Sequence, residues 1–210
     1  TAELAVALML SVIRRIPSCF DAVKDNRWST ENFFGNEVFG KTIGIIGCGR
    51  LGYKVARVAK SLNMKIVSYD PFASSLPDWI SKEETLREVL IKSDIISFHV
   101  PLDQSTRHMI RSKEVNQMKE GIVLINTSRG AIISSTALIN GLKSGKIAAA
   151  GLDVLEDEHL IVSSGNPLIE YSKNNDNLII TSHIGGATYE SVEKTDMFIL
   201  NKYLKYSGVI

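Results

Sequence analysis

The sequence predicts an α/β protein built on a doubly wound parallel sheet, and three observations predict it. From Lys41 onward, short runs rich in Val and Ile alternate with stretches of helical periodicity. The runs are apolar throughout, as strands buried on both faces are, and do not alternate as half-exposed strands would. A glycine turn, Gly47-Cys48-Gly49-Arg50-Leu51-Gly52, stands where the first run meets the first helical stretch. The length of 210 residues suits one large domain with a sizeable core.

Taken in order, residues Glu3 to Ile16 put apolar side chains on nearly every side of a helix, the pattern of a helix packed against more than one surface. Residues 1–16 are expected to form a linking or dimerisation helix that packs on a second copy of the chain, with Pro17 ending it. The stretch from Asp21 to Phe39 reads as a connecting segment pinned down by Trp28, Phe33 and Phe34. Residues 41–186 form the sheet core. Its six expected strands are Thr42 to Ile46, Lys65 to Tyr69, Asp94 to His99, Ile122 to Asn126, Ala148 to Asp153 and Leu178 to Thr181. Between them lie expected helices at Arg50 to Leu62, Lys82 to Ile91, Ser112 to Met118 and Ser135 to Leu142, with a last helix at residues 188–206. Asp157 to Asn177, with Gly165, Asn166 and Pro167, reads as a loop over the carboxyl ends of the strands.

Composition excludes several classes. Hydrophobic residues at 44% and charged residues at 22% are those of a globular chain, and 15 Gly with 5 Pro are too few for a collagen-like one. A net charge of +1 supplies no bulk field to recruit nucleic acid or an anionic membrane. The apolar stretch from Leu4 to Ile13 falls short of the roughly 18 residues that suggest a membrane span. Two cysteines, Cys19 and Cys48, and no cleavable leader pattern set the expectation of a reducing cytoplasm. No metal is expected.

The glycine turn matches G-x-G-x-x-G in its required setting, after a strand and opening a helix, where free backbone N–H groups and the helix dipole face a pyrophosphate. Asp70 stands 18 residues beyond Gly52, at the end of the second strand, where a carboxylate takes the hydroxyls of an adenosine ribose. A 2′-phosphate would meet a like charge there, so the cofactor is expected to be NAD. Cys48, inside the turn, is expected to pack as a small apolar residue.

Three polar clusters end later strands: Asn126-Thr127-Ser128-Arg129-Gly130, then Asp153 with Glu156, Asp157 and Glu158, then His183 followed by Gly185 and Gly186. An arginine fork binds a carboxylate and an adjacent carbonyl oxygen. A histidine serves as proton donor and acceptor. Singly, each has a plain structural explanation; their convergence on the edge that holds the phosphate turn points to a site.

These motifs, together with Tyr69-Asp70-Pro71, His99-Val100-Pro101-Leu102 and Gly151-Leu152-Asp153-Val154, make the sequence resemble the D-isomer-specific 2-hydroxyacid dehydrogenase family across essentially its whole length. The resemblance implies a Rossmann fold and hydride transfer between NAD and a small 2-hydroxy or 2-oxo acid. It implies that Arg129 binds and polarises the 2-oxo acid, that His183 is the general acid and base, and that Glu158 is its carboxylate partner. It further implies cofactor contacts from Gly47, Gly49, Arg50, Leu51, Gly52, Asp70, Val100, Thr127, Ser128, Arg129, Asp153, His183, Gly185 and Gly186. Within that list, Arg50 and Leu51 meet the pyrophosphate, Val100 lines the adenosine pocket, Thr127 and Ser128 approach the nicotinamide ribose, and Asp153 holds the carboxamide. A homodimer is also implied.

The family's flanking substrate domain is expected to be missing from these residues, so that the chain by itself binds NAD weakly and turns over little. His159 stands where the family usually has Pro, and is a possible competitor for Glu158; Ser182 likewise replaces a common Pro. The same resemblance extends to NAD-responsive corepressors, which use this fold to recognise partners. A hydrolase holding tightly bound NAD fits the Arg, Glu and His pattern less well.

Overall fold

The computed structural model describes residues 1–207. Seven strands form one sheet: β1 (Thr42–Ile46), β2 (Lys65–Tyr69), β3 (Ile80–Lys82), β4 (Ile95–Phe98), β5 (Ile122–Asn126), β6 (Ile147–Leu152) and β7 (Leu178–Ile180). Their spatial order is β3-β2-β1-β4-β5-β6-β7, and every neighbouring pair is parallel. The order reverses between β1 and β4, so a crevice opens at the carboxyl ends of these two strands, the place where such sheets bind ligands.

The helices are α1 (Ala2–Ile13), α2 (Ile16–Lys24), α3 (Arg50–Ser61), α4 (Leu86–Lys92), α5 (Ser112–Gln117), α6 (Ser135–Ser144), α7 (Ile161–Ser164), α8 (Pro167–Ser172) and α9 (Tyr189–Tyr206). One sheet face is covered by α1 and α3, whose Ala5, Leu8, Met9, Val12, Val55, Ala56 and Ala59 meet Ile43, Ile45, Ile95 and Ile125. On the other face lie α4, α5, α6 and α8, through Val89, Leu90, Val115, Leu138, Leu142 and Leu168 against Ile46, Phe98, Leu124 and Ala150. Strands buried from both sides explain why the central runs carry no alternation.

Several expectations are corrected. The first helix ends at Ile13, and Arg15 turns the chain in a left-handed conformation at φ 54°. Pro17 then sits in the first turn of α2, where a missing N–H costs nothing and the fixed φ suits a helix. Proline therefore starts a helix here and does not stop one, and part of the supposed connector is helical. Trp28, Phe34 and Phe39 are exposed and pin nothing; only Phe33 is half-buried. Helix α1 packs on α3, β5, β6 and β7 of its own chain. A seventh strand, β3, was not expected, because three residues at a sheet edge are too short to show a period. The helix expected from Lys82 begins at Leu86, after Thr85 and Glu88 form a reciprocal capping box. The expected loop at residues 157–177 holds a 3₁₀ turn (Glu158–Leu160), α7 and α8.

No helix among the described residues is long and apolar enough to cross a membrane.

Candidate active site

The phosphate turn is shaped by what a side chain would strike. Gly47 takes φ +86°, and a Cβ there would stand 2.8 Å from Val100 Cγ1 and 2.9 Å from the His99 carbonyl oxygen. At Gly52 a Cβ would stand 2.1 Å from the Gly47 carbonyl oxygen, so only glycine lets α3 pack on the turn. Gly49 differs: it caps α3 with ordinary backbone angles, and nothing lies within 4 Å of where its Cβ would be. That open space, beside the exposed Arg50 and Leu51 at the start of a 12-residue helix, fits a pyrophosphate drawn close to backbone N–H groups.

Asp70 is fixed against the same turn. Its Oδ2 accepts the Cys48 N–H at 2.9 Å, and its Oδ1 accepts the N–H groups of Phe72 and Ala73 at 2.9 and 3.2 Å. The pairing of Ile46 with Tyr69 brings these two strand ends together. Cys48 is buried in the layer under α1 and α3, and burial pushes its thiol pKa up, so it packs as expected and is not poised as a nucleophile.

Thr127, at the end of β5, is buried, and its Oγ1 is the one buried side-chain polar atom without a hydrogen-bond partner among the described residues. A buried hydroxyl left unpaired costs on the order of 1–3 kcal/mol. Its place on the strand-end edge fits the ribose hydroxyl of a bound dinucleotide. The chain's residues thus suit NAD at three points: the open glycine, the acidic residue and the waiting hydroxyl.

Arg129 leaves the same strand end. Asn126, fully buried, organises its loop by donating from Nδ2 to the Arg129 carbonyl at 2.9 Å and accepting from the Ser128 N–H and Oγ at 3.1 and 2.9 Å. Gly130 follows because a Cβ would fall 2.0 Å from the Leu155 carbonyl carbon, so the loops of Arg129 and Glu158 lie backbone to backbone. The Arg129 guanidinium is exposed and rests on the Ser128 carbonyl oxygen at 2.6 Å.

His183 and Glu158 form a pair: Nδ1 lies 2.7 Å from Oε2, and Oε1 accepts the Leu155 N–H at 2.9 Å. Both Glu158 oxygens are thus occupied, and no hydrogen bond joins His159 to Glu158 among the described residues. His183 sits at φ 58° in a turn held from below by Asp153. Asp153 Oδ1 accepts the Thr181 hydroxyl at 2.5 Å and the Ile184 N–H at 2.8 Å, and Oδ2 accepts the Gly185 N–H at 2.7 Å. At 1% exposure its visible work is to aim the histidine turn. Gly186 leaves open space beside that turn, and half-buried Val100 backs the phosphate turn. A cavity of about 220 Å³ brings Arg129, Glu158 and His183 together with Leu102, Arg107 and His159.

Sequence reasoning missed a second histidine–carboxylate pair on the same rim. His108 Nε2 lies 2.8 Å from Glu156 Oε1, and Arg107 Nη1 stands 3.7 Å from that oxygen. The adjoining Thr106-Arg107-His108 carries no recognisable spacing, so nothing in the sequence marked it. No group of three or more His, Cys, Asp or Glu side chains forms a metal-binding cluster among the described residues.

A parallel doubly wound sheet with a glycine turn, an acidic ribose ligand and a histidine–carboxylate pair on one edge defines a nicotinamide-dinucleotide domain of the oxidoreductase class. Comparison with known proteins narrows it. Residues 6–185 match the NAD binding domain of the D-isomer specific 2-hydroxyacid dehydrogenases, and the chain belongs to that family. It is 40% identical over 201 residues to D-3-phosphoglycerate dehydrogenase of Archaeoglobus fulgidus, covering 95% of this chain and 37% of that protein. To hydroxypyruvate reductase of Thermotoga maritima it is 38% identical, over 99% of this chain and 66% of the relative. Among solved structures, D-lactate dehydrogenase from Aquifex aeolicus, complexed with NAD and lactic acid, superposes with a TM-score of 0.87 at 32% identity, over 97% of this chain and 66% of that one. The chain therefore spans between about a third and two thirds of these relatives' length. NAD is the cofactor of this domain.

Proposed function

We propose that the chain is the cofactor-binding part of an NAD-dependent dehydrogenase that interconverts a D-2-hydroxy acid and its 2-oxo acid, with D-3-phosphoglycerate the favoured substrate. The observation that carries the reading is the His183–Glu158 pair at 2.7 Å, sharing one cavity with Arg129 on the edge of the glycine turn. Relatives named D-3-phosphoglycerate dehydrogenase at 35–40% identity support the choice of substrate, beside others named hydroxypyruvate and glyoxylate reductase. A place in serine biosynthesis, in the cytoplasm, belongs to the same reading.

NAD, which Gly49, Asp70 and Thr127 would hold, would supply the hydride acceptor for C2 of the hydroxy acid. The protein's own groups do the rest. Arg129 offers a planar fork to the carboxylate and the C2 oxygen, fixing orientation and favouring negative charge on that oxygen. With Nδ1–H donated to Glu158, the Nε2 lone pair of His183 accepts the hydroxyl proton. The imidazolium that forms is stabilised by the adjacent carboxylate, and in the reductive direction it returns the proton to the alkoxide. Asp153 and Asn126 hold the two loops in register, so the chemistry rests on groups already aimed.

The homodimer expected from the family is assigned to α2 and the segment after it. Ile16, Phe20 and Val23 line one exposed face of α2, near the exposed Trp28 and Phe34.

NADH oxidation by the full protein carrying this chain, against a panel of 2-oxo acids, tests the function. Turnover of at least one such acid is expected, and Arg129→Ala should lower it by about 10² or more at saturating NADH. Failure to reduce any 2-oxo acid, with NAD bound, would overturn the dehydrogenase reading and leave a corepressor-like binding role.

A further inference from the structure

We infer that Arg107, assisted by His159, binds a second negative charge on the substrate, so that the site selects 2-oxo acids bearing a distal phosphate or carboxylate. The inference rests on the dehydrogenase reading above and names what that reading leaves open, the residues that choose among acids.

Arg107 and His159 also line the wall of the cavity that holds Arg129, Glu158 and His183. Two of its three carboxylates are already engaged. Glu158 is held by His183 and the Leu155 N–H, and Glu156 Oε1 is taken by His108 at 2.8 Å. Asp157 is exposed and turned at φ 55° to start the 3₁₀ turn. Arg107 is ion-paired with Glu156, but the hydrogen-bond donors on that wall are unspent by contrast. Arg107 Nη1 stands 3.7 Å from Glu156, beyond hydrogen-bond reach, and neither Arg107 nor His159 makes a side-chain hydrogen bond among the described residues. A guanidinium with its donors unspent, on the wall of the cavity that also presents Arg129, suits a substrate with an anion at each end: the 2-oxo carboxylate on Arg129 and the distal group on Arg107. The position is held firmly, since the Thr106 hydroxyl donates to the Pro101 carbonyl at 2.7 Å and the His108 N–H donates to the Ala131 carbonyl at 2.7 Å, one residue to either side. His159 lines the same cavity, and its ring N–H adds a donor to that wall.

The test compares hydroxypyruvate with its 3-phosphate ester, which differ only in the distal phosphoryl group, and adds oxaloacetate as the carboxylate arm. In the full protein, Arg107→Gln should raise KM for the phosphate ester about tenfold or more, as loss of a charge-assisted hydrogen bond does. The hydroxypyruvate KM and both kcat values should stay within about twofold. Arg107→Lys should recover part of the loss, and His159→Asn should raise the same KM by a smaller factor. Oxaloacetate following the ester would assign a general anion site; oxaloacetate following hydroxypyruvate would restrict it to phosphate. Equal KM changes for all acids, or none, would overturn the inference while leaving the dehydrogenase reading standing. If the unmodified protein reduces other 2-oxo acids but none of these three, this inference falls alone; if it reduces no 2-oxo acid at all, the dehydrogenase reading falls and takes this inference with it.

Discussion

Thr127 shows how a single residue reports on an absent partner. Its hydroxyl is buried beside the strand-end edge and bonds to nothing in the chain, an arrangement that stabilises nothing unless a ligand completes it. Thr127→Val should therefore weaken NAD binding about fivefold, the worth of one net hydrogen bond, while the melting temperature of the free protein holds or rises. Titration calorimetry and thermal melts of the two proteins check this; unchanged NAD affinity would show that the hydroxyl faces no ligand. At this scale the sequence already singled out Arg129, Glu158 and His183, because each lies in a polar cluster after a strand of the same parallel sheet, and the family resemblance implied their roles. The sequence was silent on the loop-organising role of Asn126 and on the aiming role of Asp153. The donors to Asp153 come from Thr181, Ile184 and Gly185, and only folding brings them to it.

Elements are where the phosphate turn acts as a unit. Gly49 and Gly52 belong to one motif, yet the structure separates their tasks: one leaves room for a ligand and the other lets a helix approach a strand. Gly49→Ala should leave stability within about 0.5 kcal/mol and lower NAD affinity about tenfold or more. Gly52→Ala should destabilise the fold by roughly 1–3 kcal/mol through overpacking against the Gly47 carbonyl. Urea melts with NAD titrations separate the two, and equal destabilisation by both would contradict the division. Periodicity read the central strands to within a residue or so, because strands buried on both faces are uniformly apolar. It failed at β3, too short to carry a period, and at α2, where proline was taken for a stop although the first turn of a helix accommodates it.

At the scale of the whole molecule, packing sets how the protein responds to acid. Burial holds the His99 imidazole down at about 4, with Ser97 Oγ 2.9 Å from its Nε2. Between the unfolded value near 6.5 and about 4, the unfolded chain takes up a proton that the native state refuses. The contribution is therefore intact above pH 6.5 and lost as pH falls, at up to about 1.4 kcal/mol per pH unit. His99→Gln should flatten the stability profile between pH 6.5 and 4.5, read by urea melts across that range; an unaltered slope would show that His99 takes up its proton in the folded state. The proposed dimer contact through the exposed face of α2 also belongs to this scale. Light scattering should give a dimer that Phe20→Asp converts to monomer, and a monomer at micromolar concentration before mutation would remove the proposal.

The order of apolar runs and the glycine turn sufficed, before any coordinates, to specify a parallel doubly wound sheet with a dinucleotide on its carboxyl edge, because both signals are local in the chain. Which face of α1 is covered, which carboxylate meets which histidine, and which arginine is left with free donors were decided by tertiary structure alone. Those outcomes depend on side chains from separate strand ends competing for the same few acceptors, and the spacing of residues along a chain does not record that competition.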